Sequence, residues 1–394
     1  MRLQRLGFVL LAVFVVFIGG RSYYNAFLPV RVGTHIALTA LLIAWVGARI
    51  WRGRFLPATP LNWPLYAGAG VMALSSLFGL NPRMPVEHAW WPLLHGLIFF
   101  FCAALIAGGR QRLLFEILFL VGAVTVLLAG LEFMEWTGRA LAAVDIGAVL
   151  RGSAEFPPVT PMLSKPLHAS TALAGFVTPQ IVIAFAWALT ARRRDERIAL
   201  ILLGVALGFV LLGTGSRGGF LSLAAAAVVF LMLRLAPGLR NVLRGDSGSR
   251  RQVLAGAVAA VLIAVAAVGA VLYISRSSAG SSGDAIRPSL WADAVAAAQE
   301  YPLLGVGTGE FGRAARIYRG QDDPVDFRLQ QAHNIVFIFV FFEGVAGVFI
   351  LGWMGVALLA GWYRLRRTAA GQRALRLDAA LAALIAVAVQ AQFD

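Results

Sequence analysis

Apolar runs of about twenty residues recur from one end of the 394-residue chain to the other, and nothing else in the sequence restricts its fold so sharply. A helix that crosses a bilayer needs ~20 mostly apolar residues, since each residue rises ~1.5 Å through a hydrocarbon core ~30 Å thick. Such runs lie near residues 6–20, 32–50, 61–80, 89–109, 112–136, 166–190, 198–213, 218–235, 252–274, 333–361 and 377–391. With 59% of its residues hydrophobic, 13% charged and a mean hydropathy of +0.78, the chain departs from soluble domains, which are about 45–50% apolar and about 25% charged. A water-soluble fold cannot hide that much apolar surface. The chain therefore reads as one all-α polytopic integral membrane domain, residues 1–394, with about eleven transmembrane helices. The first run follows Arg2 and Arg5 as a signal peptide's would, but no small-x-small cleavage site comes after it, so it is read as a retained helix.

A net charge of +15 would point to nucleic acid in a soluble chain, yet here the charges sort by loop. Arg2 and Arg5; Arg49, Arg52 and Arg54; Arg110 and Arg112; Arg192 to Arg194 with Arg197; the arginines from Arg234 to Arg251; and those from Arg364 to Arg376 all fall on one side of the alternating spans. Positive residues are retained in the cytoplasm, so that side is inside and the N-terminus is cytoplasmic. Basicity reports insertion, and no nucleic-acid partner is expected. Cys102 is the one cysteine and lies in an apolar run, which leaves neither a disulfide framework nor a cysteine metal site.

On this topology two long segments, 137–165 and 275–332, lie in the periplasm. The second is too long for a simple connection. Its residues 289–300 follow Pro288, which suits the first position of a helix, and Gly305, Gly307 and Gly309 end that helix in turns. Between two spans, Ser216-Arg217-Gly218-Gly219 opens a helix at the periplasmic surface. Backbone N–H groups and the positive end of the helix dipole, with the permanent charge of Arg217, make that turn suited to phosphate; an interfacial arginine among lipid headgroups is the plainer alternative. Arg287, beside Pro288 and near Trp291, offers a second anion contact, or a solvated loop arginine. His333 stands at the head of the tenth helix before Asn334. A helix N-terminus and nearby guanidinium groups disfavour imidazolium, and a neutral imidazole can accept a proton. His35, His88, His95 and His168 read as structural.

Among the acids, Glu343 is the deepest intramembrane carboxylate, either functional or paired with an arginine from another helix. Glu132 and Glu135 share a helical face, with Arg139 four residues beyond Glu135, as a structural ion pair would. Asp322, Asp323 and Asp326 read as a solvated acidic loop and not as a metal site. Gly307-Thr308-Gly309-Glu310-Phe311-Gly312 matches the dinucleotide fingerprint by letters only, because no strand precedes it.

The order of these motifs resembles the O-antigen ligase and O-antigen polymerase superfamily, which also contains bacterial protein O-oligosaccharyltransferases. Thr214-Gly215-Ser216-Arg217-Gly218-Gly219-Phe220-Leu221 resembles its Ser-Arg-Gly-Gly turn. Arg287-Pro288-Ser289-Leu290-Trp291 with Tyr301-Pro302-Leu303-Leu304-Gly305-Val306-Gly307-Thr308-Gly309-Glu310-Phe311 resembles its large-loop motif, and Ala332-His333-Asn334 with Phe342-Glu343-Gly344-Val345-Ala346-Gly347 its closing helix. The match is strongest over 200–361.

That resemblance implies a GT-C-like architecture of twelve helices with a large periplasmic loop, of which about eleven are visible in this sequence. It also implies an inverting glycosyltransferase of the inner membrane that needs neither metal nor cofactor. Such an enzyme takes O-antigen glycan from undecaprenyl diphosphate and joins it, at the periplasmic face, to a sugar hydroxyl of lipid A-core. The implied catalytic residues are Arg217 and Arg287, which stabilise the departing diphosphate, and His333, the general base. Ser216, Gly218 and Asn334 are implied substrate contacts, with Arg151 and Lys165 as further diphosphate contacts. Arg313, Arg316, Arg319 and Arg328 suit a phosphorylated acceptor electrostatically. An O-antigen polymerase or a protein O-oligosaccharyltransferase would use the same donor. A transporter or lipid-linked sugar flippase would instead place its polar residues near the bilayer midplane.

Overall fold

The computed structural model of the protein describes residues 28–80, 90–143, 162–167, 169–243, 283–309, 311–318 and 332–393, with Gly7, Val9 and scattered helical positions between 253 and 272. The helices are α1 (Leu28–Trp51), α2 (Asn62–Phe78), α3 (Trp90–Ala107), α4 (Gln111–Ala143), α5 (Ser170–Thr190), α6 (Arg194–Thr214), α7 (Arg217–Leu243), α8 (Gly283–Glu300), α9 (Phe311–Ala315), α10 (Ile335–Thr368) and α11 (Gly371–Gln390). Nine of the apolar runs expected from sequence coincide with α1 to α7, α10 and α11. The expected span 6–20, and most of 252–274, lie outside the described residues. Helices α4, α5, α6, α7 and α10 are long and apolar enough to cross a membrane, and α1 and α3 contain shorter apolar stretches.

Helix α6 shows why such a chain needs lipid. Leu200, Gly204, Leu207 and Leu211 recur at helical spacing on its buried face. Leu202, Val205, Phe209 and Leu212 recur on the opposite face, where Phe209 is 68% exposed. A helix apolar all round belongs in a membrane, not at a protein–water boundary. The protein is a multi-pass membrane protein.

The chain forms two compact units, one of Met1–Leu38, Phe115–Ala279 and Thr368–Gln390, the other of Thr39–Leu114, Gly280–Arg367 and Ala391–Asp394. In the first, α5 packs against α6, α7 and α11. Leu173, Ala174, Val177 and Ile181 of α5 join Leu207, Val210 and Leu211 of α6 in its core. Helix α11 is tied to α5 at both ends. Gln390 Nε2 donates to Thr171 O (3.1 Å), and Arg376 Nε donates to Thr190 Oγ1 (3.1 Å) with its guanidinium 5.1 Å over the Trp187 ring.

The second unit is organised around a break in α10. Gly344 has φ 63° and ψ −153°, a conformation open essentially to glycine alone. Unbroken, the helix would bond Val345 N–H to the Phe341 carbonyl and Ala346 N–H to that of Phe342. Instead Val345 and Ala346 donate to Pro302 O and Leu303 O (2.9 and 3.1 Å), while Val306 and Gly307 donate to Phe341 O and Phe342 O (2.9 and 3.1 Å). Ser75 Oγ of α2 also donates to Phe342 O. The turn 302–307 thus exchanges hydrogen bonds with both halves of the helix, as a membrane requires of any interrupted backbone. That is the work of the Tyr301–Phe311 glycines, whose dinucleotide-like spacing has no nucleotide to explain.

The fit leaves no room for side chains. A Cβ at Gly344 would lie 2.7 Å from Gly305 N, Leu303 C and Pro302 O, all backbone atoms. Gly344→Ala is expected to cost at least ~3 kcal/mol from conformational strain and overpacking together. An unchanged thermal unfolding midpoint for the detergent-solubilised variant would show that the break is dispensable.

Among the boundaries that differ from the sequence reading, two adjoin the long loops. Helix α8 begins at Gly283 and carries Pro288 inside it, where the sequence placed Pro288 at the first position. Pro288 forfeits only the bond to the Asp284 carbonyl, a loss tolerable one turn into a helix. Helix α4 runs on to Ala143, past the expected start of a loop at 137. Residues 144–161 lie outside the described residues.

Candidate functional site

In the first unit, the chain reverses between α6 and α7 in the shortest of turns. Gly215 (φ 62°) caps α6 in the left-handed conformation and donates to Leu212 O. Ser216 then serves as the N-cap of α7: its Oγ accepts Gly219 N–H at 3.2 Å, satisfying one of the four orphan donors of a helix start. Ser216 N–H donates to Thr214 Oγ1 (3.2 Å), and Thr214 Oγ1 donates to Leu211 O (2.7 Å). Ser216, expected to contact substrate, is therefore a buried cap whose hydroxyl hydrogen is not used by that bond. Gly219 is fixed by packing, because a Cβ there would lie 2.7 Å from Leu211 Cδ1 and 2.8 Å from the Ala174 Cβ. Arg217 is the first residue of α7, and Gly218 is buried behind it. A guanidinium thus stands at the positive end of a helix whose start lies tight against α5 and α6.

Segment 162–167 leans on the same turn. Leu163 N–H donates to Gly213 O at 2.8 Å, and the Leu163 side chain is buried beside Leu173, Ala174 and Leu211. Glu132 of α4 holds the segment from the other side: its carboxylate accepts Ser164 N–H (2.8 Å), Ser164 Oγ–H (2.9 Å) and Lys165 N–H (2.8 Å). Lys165 Nζ lies 3.1 Å from Glu135 Oε2, with both side chains largely in the open. Exposed pairs are worth about 0–1 kcal/mol, so this one holds Lys165 only loosely. The expected Glu135–Arg139 side-chain pair is replaced by a bond from Arg139 Nε to the Glu135 backbone carbonyl. No local pattern signals the Glu132 latch, since its partners lie in a loop far along the chain.

In the second unit, the heads of α8 and α10 are brought together with residues 391–393. Arg287 Nη2 donates to Phe393 O (3.0 Å), Asn334 Nδ2 to Gln392 O (3.3 Å), and Ile335 N–H to Ala391 O (2.8 Å). Asn334, expected to contact substrate, caps α10: its Oδ1 accepts Val336 N–H (2.9 Å) and Phe337 N–H (3.3 Å). The helix accordingly starts at Ile335, two residues after the His333 of the sequence reading.

His333 itself has φ 50°, a left-handed backbone uncommon outside glycine, though histidine is among the side chains that visit it. Such strain persists only where the surroundings over-determine it. Here they do: Trp291 Nε1 donates to Ala332 O (3.0 Å), and the Trp291 ring stacks on Phe337 at 5.2 Å. His333 is thereby gripped between an anchored Ala332 and a capping Asn334. Below it, Leu290, Ala294 and Ala297 of α8 pack with Phe311, Ala315 and Phe341.

Arg151, His88, His168, Arg319, Asp322, Asp323, Asp326 and Arg328 lie outside the described residues, as do the side chains of His35 and Arg313. Arg316 and His95 are exposed. Glu343 is buried immediately before the Gly344 break, and no arginine among the described residues pairs with it.

Residues 202–352 match a family model described as O-antigen ligase. Over 358 residues the chain is 27% identical to an O-antigen ligase of Pseudomonas aeruginosa PAO1, a similarity that covers 90% of this chain and 76% of that relative. The stretch matched by the family model contains Ser216-Arg217-Gly218-Gly219, Arg287 and His333.

Proposed function

We propose that the chain, which is similar to O-antigen ligases over residues 202–352 and over most of its length, joins finished O-antigen glycan to lipid A-core at the periplasmic face of the bacterial inner membrane. At the coarser level it is a glycosyltransferase-type enzyme of lipopolysaccharide synthesis. The observation that carries the finer reading is that one matched stretch holds all three candidate catalytic residues, each on a backbone held by named contacts.

The donor is undecaprenyl diphosphate-linked glycan. Its anomeric carbon is already bonded to a good leaving group, so transfer needs stabilised negative charge on the departing diphosphate and a proton acceptor for the incoming hydroxyl. Arg217, at the positive end of α7, and Arg287, at the head of the loop helix, take the first task. Each guanidinium presents a planar fork suited to phosphate oxygens. Lys165 exchanges its weak partner Glu135 for diphosphate at little cost, and Arg151 is assigned the same role by resemblance. His333 takes the second task. The acceptor oxygen forms its bond to the anomeric carbon as the carbon–oxygen bond to diphosphate breaks, the hydroxyl proton passes to the imidazole, and configuration inverts. No metal or cofactor is required for these steps. Ser216 and Gly218 set the approach to the helix start, and Asn334 keeps His333 in place.

The arginine-rich loops, all on one side of the alternating spans, support a cytoplasmic N-terminus with segments 137–165 and 275–332 in the periplasm. A lipopolysaccharide gel from a strain lacking this protein tests the reading. Core without O-antigen, with polymerised glycan accumulating on its carrier, is expected. Core capped by a single repeat unit would instead identify a polymerase.

A further inference from the structure

Glu132 lies in a transmembrane helix and has no chemical role of its own in the transfer, yet it commits its whole carboxylate to one loop. It accepts three hydrogen bonds at 2.8, 2.9 and 2.8 Å from Ser164 N, Ser164 Oγ and Lys165 N. Charge-assisted bonds of this kind are about twice as strong as neutral ones. The next residue back, Leu163, closes the last turn of α6 by donating to Gly213 O at 2.8 Å. Leu163 also packs with Leu211 and Ala174, the two side chains that would meet any Cβ at Gly219. A continuous set of contacts therefore runs from Glu132 through residues 163–165 to the backbone that carries Arg217.

We infer that Glu132 is a positioning residue for donor binding: by latching residues 164–165 it fixes the Ser216–Gly219 anion turn and sets Lys165 beside it. This rests on the proposed role of Arg217 as a diphosphate ligand. Without the Glu132 carboxylate, three part-buried donors lose their acceptor, Leu163 is free to leave Gly213 O, and the end of α6 loosens with the start of α7. The chemistry assigned to His333 is untouched, so the defect falls on the donor.

The test uses full-length protein in proteoliposomes, with undecaprenyl diphosphate-linked glycan titrated at saturating lipid A-core, and then the converse. Glu132→Ala is expected to lower kcat/KM for the donor about tenfold or more, mainly through KM, with the acceptor KM unmoved. Glu132→Gln keeps an oxygen acceptor for the backbone N–H groups and recovers most of the loss; it also supplies the measurement if the alanine variant fails to insert. Unchanged donor kcat/KM in Glu132→Ala, a glutamine variant as impaired as the alanine one, or a fall confined to kcat would each overturn the inference. Arg217→Ala run alongside separates the two claims, because wild-type transfer by that variant defeats the diphosphate reading whatever Glu132 does.

Discussion

Arg217→Ala is expected to abolish transfer or reduce it severely, with the protein still inserted. Removing a charged hydrogen-bonding partner from a diphosphate is worth on the order of 2–5 kcal/mol, which corresponds to roughly tenfold to thousandfold or more in rate. Arg217→Lys should recover little, since an ammonium is a point charge and cannot reproduce the planar fork at the start of α7. Arg287→Ala should show a comparable loss. Its bond to Phe393 O at 3.0 Å adds a structural component, so the Arg217 variants give the cleaner reading. The measurement is transfer of glycan to lipid A-core by purified, reconstituted variants. Wild-type rates in a properly inserted Arg217→Ala protein would remove the anion-site assignment.

His333→Ala should lower turnover by about 10²–10⁴-fold, the usual cost of losing a general base. Donor binding should persist, because His333 is not assigned to the diphosphate. The strained backbone at φ 50° makes alanine a demanding replacement there. His333→Asn, which tolerates the left-handed region better, separates lost chemistry from relaxed geometry: both variants should be equally inactive. Chelators should leave the wild-type rate unchanged. If EDTA stops the reaction and a divalent ion restores it, the acidic segment at Asp322, Asp323 and Asp326 gains the central role and His333 loses it.

Much of this was legible in the sequence because it is local. Hydropathy sums over neighbouring residues, so α4, α5, α6, α7 and α10 could be found from their own letters. The loop helix was likewise anticipated from residues 289–300, which follow Pro288. What misled was also local. Pro288 looked like a helix start because proline favours that position, but the segment 283–287 could be helical as well, since the first turn of a helix needs no i−4 partners. His333 looked like the first residue of α10 because the apolar run begins beside it; Asn334 supplies the cap and pushes the helix start to Ile335.

By itself, the sequence determined that this protein lives in a bilayer, where its spans run, and which superfamily its ordered motifs resemble. Each of those is written in contiguous residues. Only the tertiary structure decided which partners hold the motif residues. Gly344 can break α10 because Pro302, Leu303, Val306 and Gly307 exchange hydrogen bonds with the opened backbone, and no window around Gly344 contains those partners. Glu132 reads as one of two acids on a helical face until Ser164 and Lys165 close on it. Asn334 shows no sign in sequence that its side chain joins the start of α10 to Gln392. In a membrane each unsatisfied backbone or polar group costs several kcal/mol, so such partners are compulsory. Their identity is set by how distant segments meet, which no local pattern encodes.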